Sequence, residues 1–346
     1  MTSEIDEIQA RVEGTVGLVT LNRPRAINSL THPMITTMNT VLTQWADDPA
    51  ITAVVLNGAG DRGLCAGGDV VAVYHSARSD GGSRARQFWF DEYQLNLFIS
   101  RYPKPYVALM DGIVMGGGVG VSAHGNTRIV TETSRIGMPE VGIGLIPDVG
   151  GTYLLARAPG LLGLYAGLTG APFSGADAIS MGFADHFVPQ DKLADLVATI
   201  VADGVEAALT ACAIEPPPSE LATQRDWIDH CFAGDTAADI LASLRTHHTY
   251  SANNAADLMA SRSPIALSVT LEAIRRAGAL ENLEAVLAQD YRTSCASLVS
   301  HDLIEGIRAL LIDKDGNPAW SPPSLATITT SEISAYFDAV DSEFAM

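Results

Sequence analysis

Positive charge is what this sequence has least of. Only 21 Lys and Arg stand against 40 Asp and Glu, a net charge of −19. Nucleic acid and anionic membrane surfaces are therefore excluded as expected partners, because phosphate recognition wants a basic stripe. A single anionic ligand can still be held where a few cations or backbone N–H groups face it. Cysteine is scarce too: Cys65, Cys212, Cys231 and Cys295 lie far apart. With no C-x-x-C and no zinc-ligand spacing, neither a disulfide framework nor a structural metal is expected. The histidines have no partner at triad or metal spacing, and no G-x-S-x-G elbow occurs. Apolar runs break at glycine or charge well short of the ~20 residues a membrane span needs. The N-terminal MTSEIDEIQARVEG lacks the apolar segment of a signal peptide. Reduced thiols and no leader lead to the expectation of a soluble, cytosolic protein.

What is abundant points to a folded chain. Hydrophobic residues make up 47% of the 346 and charged residues 18%, enough for a large core. QARVEGTVGLVTLN alternates around Gly14 and Gly17 as a hairpin does. Met34, Met38, Val41, Leu42 and Trp45 are at helical spacing, and ITAVVLNG follows as a buried strand. Residues 83–105 predict a long amphipathic helix stopped by Pro103 and Pro105, and PYVALMDG predicts another strand. From about 152 the pattern is helical nearly to the end, with signals at 221–233, 236–250, 263–278 and 281–299. The proline-rich IEPPPSE (214–220) is the best linker. The expected organisation is an α/β core over 1–190 and a helical region over 191–346.

Three glycine-rich stretches compete for a ligand. NGAGDRG contains G-x-G-x-x-G (Gly58, Gly60, Gly63), but a dinucleotide fingerprint must open a helix at once. Here Leu64–Gly68 prolongs a loop, so a flexible turn is expected. CAGGD (65–69) and MGGGVG (115–120) each sit just before a helix, where unpaired N–H groups face a ligand. Two such turns could hold one developing oxyanion; alternatively they are tight turns packed on each other. Between Arg135 and Arg157 the only charged side chains are Glu140 and Asp148, in MPEVGIGLIPDVGG. Six Gly or Pro residues in those fourteen forbid a regular helix. A carboxyl in so apolar a loop has its pKa raised by desolvation, which suits proton transfer near neutrality. Asp148 has a bland alternative as the N-cap of a helix starting near Gly151. Glu92, in FDEYQLN, reads by spacing alone as part of a solvated helix face.

These segments, in this order, resemble the enoyl-CoA hydratase/isomerase (crotonase) superfamily, and the likeness covers nearly the whole chain. EYQLN (92–96), MPEVGIGLIPDVGG and HDLIEGIRALLIDKDGNPAW (301–320) are most similar to its 3-hydroxyisobutyryl-CoA hydrolase branch. The resemblance implies a crotonase-like spiral of repeated β-β-α units with a helical C-terminal region, an acyl-CoA thioester substrate, and a homo-oligomer. No cofactor is implied, since CoA belongs to the substrate. It further implies an oxyanion hole from the amides of Gly68 and Gly117, with Glu140 as catalytic carboxylate and Asp148 as its partner. It moves Glu92 into the substrate pocket and places the adenine end near NRPRAINSLT (22–31), with Arg23, Arg25 and Ala26; Lys104 is a further candidate for the CoA phosphates. Hydratases of this superfamily typically carry a second glutamate after the second glycine turn, where this sequence has Gly120. That departure favours hydrolysis of a 3-hydroxyacyl-CoA over hydration of an enoyl-CoA, while proton transfer by Glu140 alone would permit an isomerase as the alternative. A catalytically silent CoA-binding protein is the alternative of another class.

Overall fold

A computed structural model describes residues 6–340 and 344; the first five residues of the stretch read as lacking a signal peptide lie outside them. Strands β1 (Ile8–Glu13) and β2 (Val16–Leu21) form an antiparallel hairpin. It turns at Gly14, whose φ of +59° is strained for other residues. Helix α1 (His32–Asp47) starts with a Thr31 side chain accepting from Met34 N–H and a proline in its first turn, both expected start signals. Next come β3 (Ala53–Gly58), α2 (Val70–Ser79), α3 (Ser83–Ser100), β4 (Tyr106–Met110) and β5 (Ile113–Met115). They are followed by α4 (Gly117–Ser122), β6 (Thr127–Val130), β7 (Arg135–Gly137), α5 (Gly151–Arg157) and α6 (Leu162–Thr169). Then β8 (Phe173–Ser174), α7 (Gly175–Ser180), β9 (His186–Phe187), α8 (Leu193–Asp203) and α9 (Val205–Cys212) close the α/β portion. Helices α10 (Glu220–Thr223), α11 (Arg225–Cys231), α12 (Ala237–Thr246), α13 (Tyr250–Ser261), α14 (Pro264–Ala279), α15 (Leu283–Ser297) and α16 (His301–Ile307) follow.

The chain divides into two compact units, and α3 passes from one to the other after Tyr93. The first (1–68, 94–136, 173–219) holds both sheets. The larger has the order β1-β2-β3-β4-β6-β9, parallel throughout except for β1. Strands β2 and β4 are buried along their whole length, as parallel strands covered on both faces are. On one face Leu18, Val55, Val107 and Ile129 pack against Leu196 and Ile200 of α8 and Ala208 of α9. The smaller sheet has the order β5-β7-β8. The second unit (69–93, 137–172, 220–346) is built of helices. Its α14 buries Leu267, Val269, Leu271 and Ile274, and a Cβ at Gly167 of α6 would come within 2.7 Å of Ile274.

The α/β class matches the sequence reading, and the order of the first elements does too. Helix α13 was not among the expected helices: Asn253, Asn254 and Asp257 interrupt the apolar pattern of YSANNAADLMAS, whose buried face is made mainly of small residues, Ala252, Ala255 and Ala256, with Met259. The region after 152 is also not purely helical, because β8 and β9 complete sheets whose other strands come from earlier in the chain.

The G-x-G-x-x-G turn is a packing device. A Cβ on Gly63 would lie 2.1 Å from the backbone nitrogen of Ile113, and one on Gly58 would lie 2.6 Å from the carbonyl of Leu64. The next helix begins only at Val70. Gly63→Ala is therefore expected to cost more than about 3 kcal/mol, whereas Gly60→Ala costs about 1–2 kcal/mol for its positive φ. Urea denaturation of the two variants tests the ordering; equal midpoints would contradict it.

Candidate active site

The two glycine turns expected to form an oxyanion hole are neighbours within the first unit. Cys65 accepts a hydrogen bond from Met115 N–H (2.9 Å) and donates its own N–H to Ile113 (3.1 Å), so the CAGGD turn runs alongside β5. A Cβ on Gly118 would fall 2.6 Å from the Cys65 carbonyl, and one on Gly67 would stand 3.8 Å from the Gly117 nitrogen. Only a glycine at 118 permits the first approach. Gly67 has φ +109°, and Leu30 N–H donates to its carbonyl at 2.8 Å. Gly117 is the first residue of α4, so its amide has no acceptor inside the helix. Gly68, next along the CAGGD turn, pairs with Leu30 in a short parallel bridge.

The second unit holds the carboxylates. Glu140 opens a short 3-10 turn ending at Ile143, with Gly144 at φ +72°. A Cβ on Gly144 would strike the Asp302 carbonyl carbon at 2.4 Å, and one on Gly306 would strike the Ile143 backbone at 2.5 Å. These contacts explain why HDLIEGI, far along the chain, accompanies the acidic loop: α16 lies directly on its backbone. Asp148 does not cap α5, whose N-cap is Gly150 with no side-chain hydrogen bond. Its carboxylate instead accepts the Tyr93 hydroxyl at 2.6 Å, and that hydroxyl lies 2.9 Å from Ser294 Oγ.

Four carboxyl groups are buried together in this unit: Glu92 (2% exposed), Glu140 (6%), Asp148 (5%) and Asp290 (0%). None of them makes an ion pair among the described residues. Glu92 Oε1 and Glu140 Oε2 accept no hydrogen bond there either. Burial, and then the charge of Asp148, pushes both glutamates well above the usual carboxylate range. Burial also raises Asp148, to about 6, against the pull of the Tyr93 hydrogen bond. Asp290 is driven up by burial, opposed by its bond from Thr152. Asp148, at about 6, is thereby placed to take up and release a proton near neutral pH. The solvated face expected for Glu92 from spacing is thus a buried one, as the resemblance implied. Tyr93, Asp290 and Ser294 escaped the sequence reading; the only local signal was Tyr93 beside Glu92.

The residues expected at the adenine end lie in the first unit. Pro24–Ala26 is a 3-10 turn with Arg25 and Ala26 exposed. Arg23 is half-buried, paired with Glu7 at 3.1 Å and donating to the Ser29 carbonyl at 2.6 Å. Lys104 donates to the carbonyls of Trp45 and Asp48, so it ties down the end of α1.

The family model for enoyl-CoA hydratase/isomerase matches residues 16–337. The chain belongs to this family. Two 3-hydroxyisobutyryl-CoA hydrolases are similar to it. The Xenopus laevis protein is 39% identical over 95% of this chain and 88% of its own length, and the Homo sapiens protein 37% over 99% and 91%. Among solved structures, a carnitinyl-CoA dehydratase from Mycobacterium thermoresistibile aligns with TM-score 0.96 at 64% identity, covering 99% of both chains. An enoyl-CoA hydratase from Rhodobacter sphaeroides 2.4.1 aligns with TM-score 0.92 at 39% identity, covering 96% of this chain and 97% of its own. The expectation of a cytosolic protein is corrected by these relatives, since both hydrolases are named mitochondrial. Free, buried cysteines report a reducing environment, which is no property of the cytosol alone. Among the described residues no helix is long and apolar enough to cross a membrane.

The acid cluster carries a stability signature. Raising the Asp148 pKa from 3.8 to about 6 corresponds to on the order of 3 kcal/mol. A carboxyl raised by folding binds more protons native than unfolded, so its contribution falls as pH rises through that window. Asp148→Asn is expected to match wild type near pH 3.5 and to exceed it by up to about 3 kcal/mol above pH 6.5. Chemical denaturation across that range checks the sign.

Proposed function

We propose that the protein hydrolyses a short-chain 3-hydroxyacyl-CoA thioester, foremost 3-hydroxyisobutyryl-CoA, to the free acid and CoA, a step that belongs to valine breakdown. The reading rests on the likeness to 3-hydroxyisobutyryl-CoA hydrolases over nearly the whole chain. The observation that carries its chemistry is the set of buried carboxyls without a counter-cation, one of them fixed by the Tyr93 hydroxyl.

In this scheme the amides of Gly68 and Gly117 donate to the thioester oxygen and stabilise the charge that develops there. Glu140 is the reacting carboxylate. Its raised pKa makes it a strong base once ionised. As a general base it removes a proton from water while the water oxygen bonds to the carbonyl carbon. The tetrahedral intermediate then collapses, the C–S bond breaks, and the CoA sulfur leaves with a proton. As a nucleophile it would form a mixed anhydride that water opens afterwards. Asp148 orients the water or the 3-hydroxyl, and Glu92 lines the acyl pocket. Arg23, Arg25 and Ala26 lie toward the adenine end. The scheme needs no metal or organic cofactor.

A second reading is elimination of water from the same kind of substrate. The 64% identical carnitinyl-CoA dehydratase favours it, and Glu92 or Asp148 beside Glu140 would supply an acid and a base. Gly120 stands against it, at the position where the superfamily's hydratases typically carry their second glutamate.

Thiol release from 3-hydroxyisobutyryl-CoA decides between them, with crotonyl-CoA and L-carnitinyl-CoA as parallel substrates. Wild type is expected to release thiol, and Glu140→Gln to lose about 10³-fold or more in kcat while staying folded. Appearance of an enoyl product with no thiol would replace hydrolase by dehydratase. The acid limb of kcat/KM should lie above the ordinary carboxylate range and move to lower pH in Asp148→Asn, because the like charge beside Glu140 is gone. In a single turnover in 18O water, label in the Glu140 side chain marks the anhydride route; unlabelled Glu140 marks the general-base route.

A further inference from the structure

We propose that Asp290 of α15 is a positioning residue for the reaction: it holds the Asp148–Thr152 turn in the one backbone conformation that aims the Asp148 carboxylate. This rests on the reading that Glu140 and Asp148 carry the chemistry.

The turn is strained at a telling place. Val149, directly after Asp148, has φ +53°, and Gly150 follows at +75°. A β-branched residue in the left-handed region is a genuine outlier and persists only where its surroundings over-determine it. Asp290 supplies the constraint. One carboxylate oxygen accepts the Gly150 N–H at 2.9 Å, and the other accepts the Thr152 hydroxyl at 2.6 Å. Helix α5 has no side-chain cap of its own, so its first turn is capped from α15, about 140 residues onward in sequence, a role local residues usually fill. Asp290 is fully buried mid-helix, a costly place for a carboxyl that did nothing there.

The same face of α15 grips Asp148 a second way. Ser294, four residues on and therefore on the same side, lies 2.9 Å from the Tyr93 hydroxyl that donates to Asp148. Tyr291 meets the Tyr93 ring edge-on at 6.2 Å. So α15 fixes the backbone after Asp148 through Asp290 and the carboxylate itself through Tyr93. The charged and titratable groups facing this pair are Glu92 and Tyr93 from α3 and Glu140 from the loop. Negative charge on Asp290 also helps to hold Glu140 protonated.

The test compares Asp290→Ala, Asp290→Asn and Thr152→Val in the full chain. It measures kcat and KM for 3-hydroxyisobutyryl-CoA hydrolysis and follows the Asp148 and Glu140 carboxyls by 13C NMR in the substrate-free protein. Misplacing a reacting group by about 1 Å costs on the order of 10² in rate. Asp290→Ala is therefore expected to lower kcat by about 10²-fold with KM within about threefold. Thr152→Val, which removes one of the two bonds, should lower it by about tenfold. Asp290→Asn keeps an acceptor for Gly150 and should recover at least about tenfold over alanine. In both Asp290 variants the Glu140 titration moves to lower pH by about 0.5 or more. Lower thermal stability with unchanged kcat and unchanged carboxyl titrations in the folded protein would overturn the proposal. Should Asp290→Ala fail to fold, the other two variants decide it by the same criteria. Should wild type hydrolyse no thioester, the NMR titrations still answer for Asp290, which separates failure of the positioning role from failure of the hydrolase reading.

Discussion

The 2.6 Å hydrogen bond from Tyr93 to Asp148 is the interaction on which the acidic site depends. It joins three stretches of one unit: the end of its portion of α3, the glycine-rich loop, and α15 through Ser294. An ionised carboxylate in an apolar interior needs a donor, and this hydroxyl opposes the burial that raises Asp148 to about 6, while burial and then the charge of Asp148 push Glu92 and Glu140 well above the usual carboxylate range. Burial, and then the neighbouring charge of Asp148, raise the Tyr93 pKa, since ionising the phenol would bring a second charge into the same apolar pocket.

That arrangement is bad for stability and useful for chemistry. Four buried acids, without a paired cation among the described residues, and a β-branched residue at positive φ each draw on a net stability that is small for any domain. The remainder of the unit opposes them by close packing. Gly144 and Gly306 let α16 rest on the loop backbone, and α5 and α6 lie against α14. A site whose polar groups are held before substrate arrives needs no rearrangement when charge develops, which is where electrostatic catalysis gains most. The same set could serve hydrolysis or elimination, because general-base hydrolysis and elimination both begin with proton transfer to a buried carboxylate. What distinguishes them is where a second acid or base stands, and Gly120 removes one such position.

Much of this was legible in the order of residues. Periodicity gave β1, β2, α1, β3 and β4, because a strand buried on both faces and a one-sided helix leave different patterns. Glycine density marked the CAGGD and MGGGVG turns, since close backbone approach tolerates no Cβ. Two lone charges in MPEVGIGLIPDVGG marked the acid loop, because an unpaired carboxylate among apolar residues is too costly to be accidental. The motifs placed the chain in its family, and Glu92 entered the pocket only by that likeness.

Tertiary structure decided the rest. Whether Asp148 caps a helix or faces a phenol depends on Tyr93, 55 residues away, and no spacing rule reaches that far. Asp290 and Ser294 look like ordinary polar residues of an amphipathic helix until α15 turns them toward the loop. Helix α13 buries a face of alanines and Met259 too weakly apolar to mark it in the sequence. Local pattern determines which segments become strands, helices and tight turns, since those choices are made by backbone sterics and by one face seeking burial. Protonation, strain and the aim of a carboxylate arise from what the folded chain places next to what, and only the packed structure settles those.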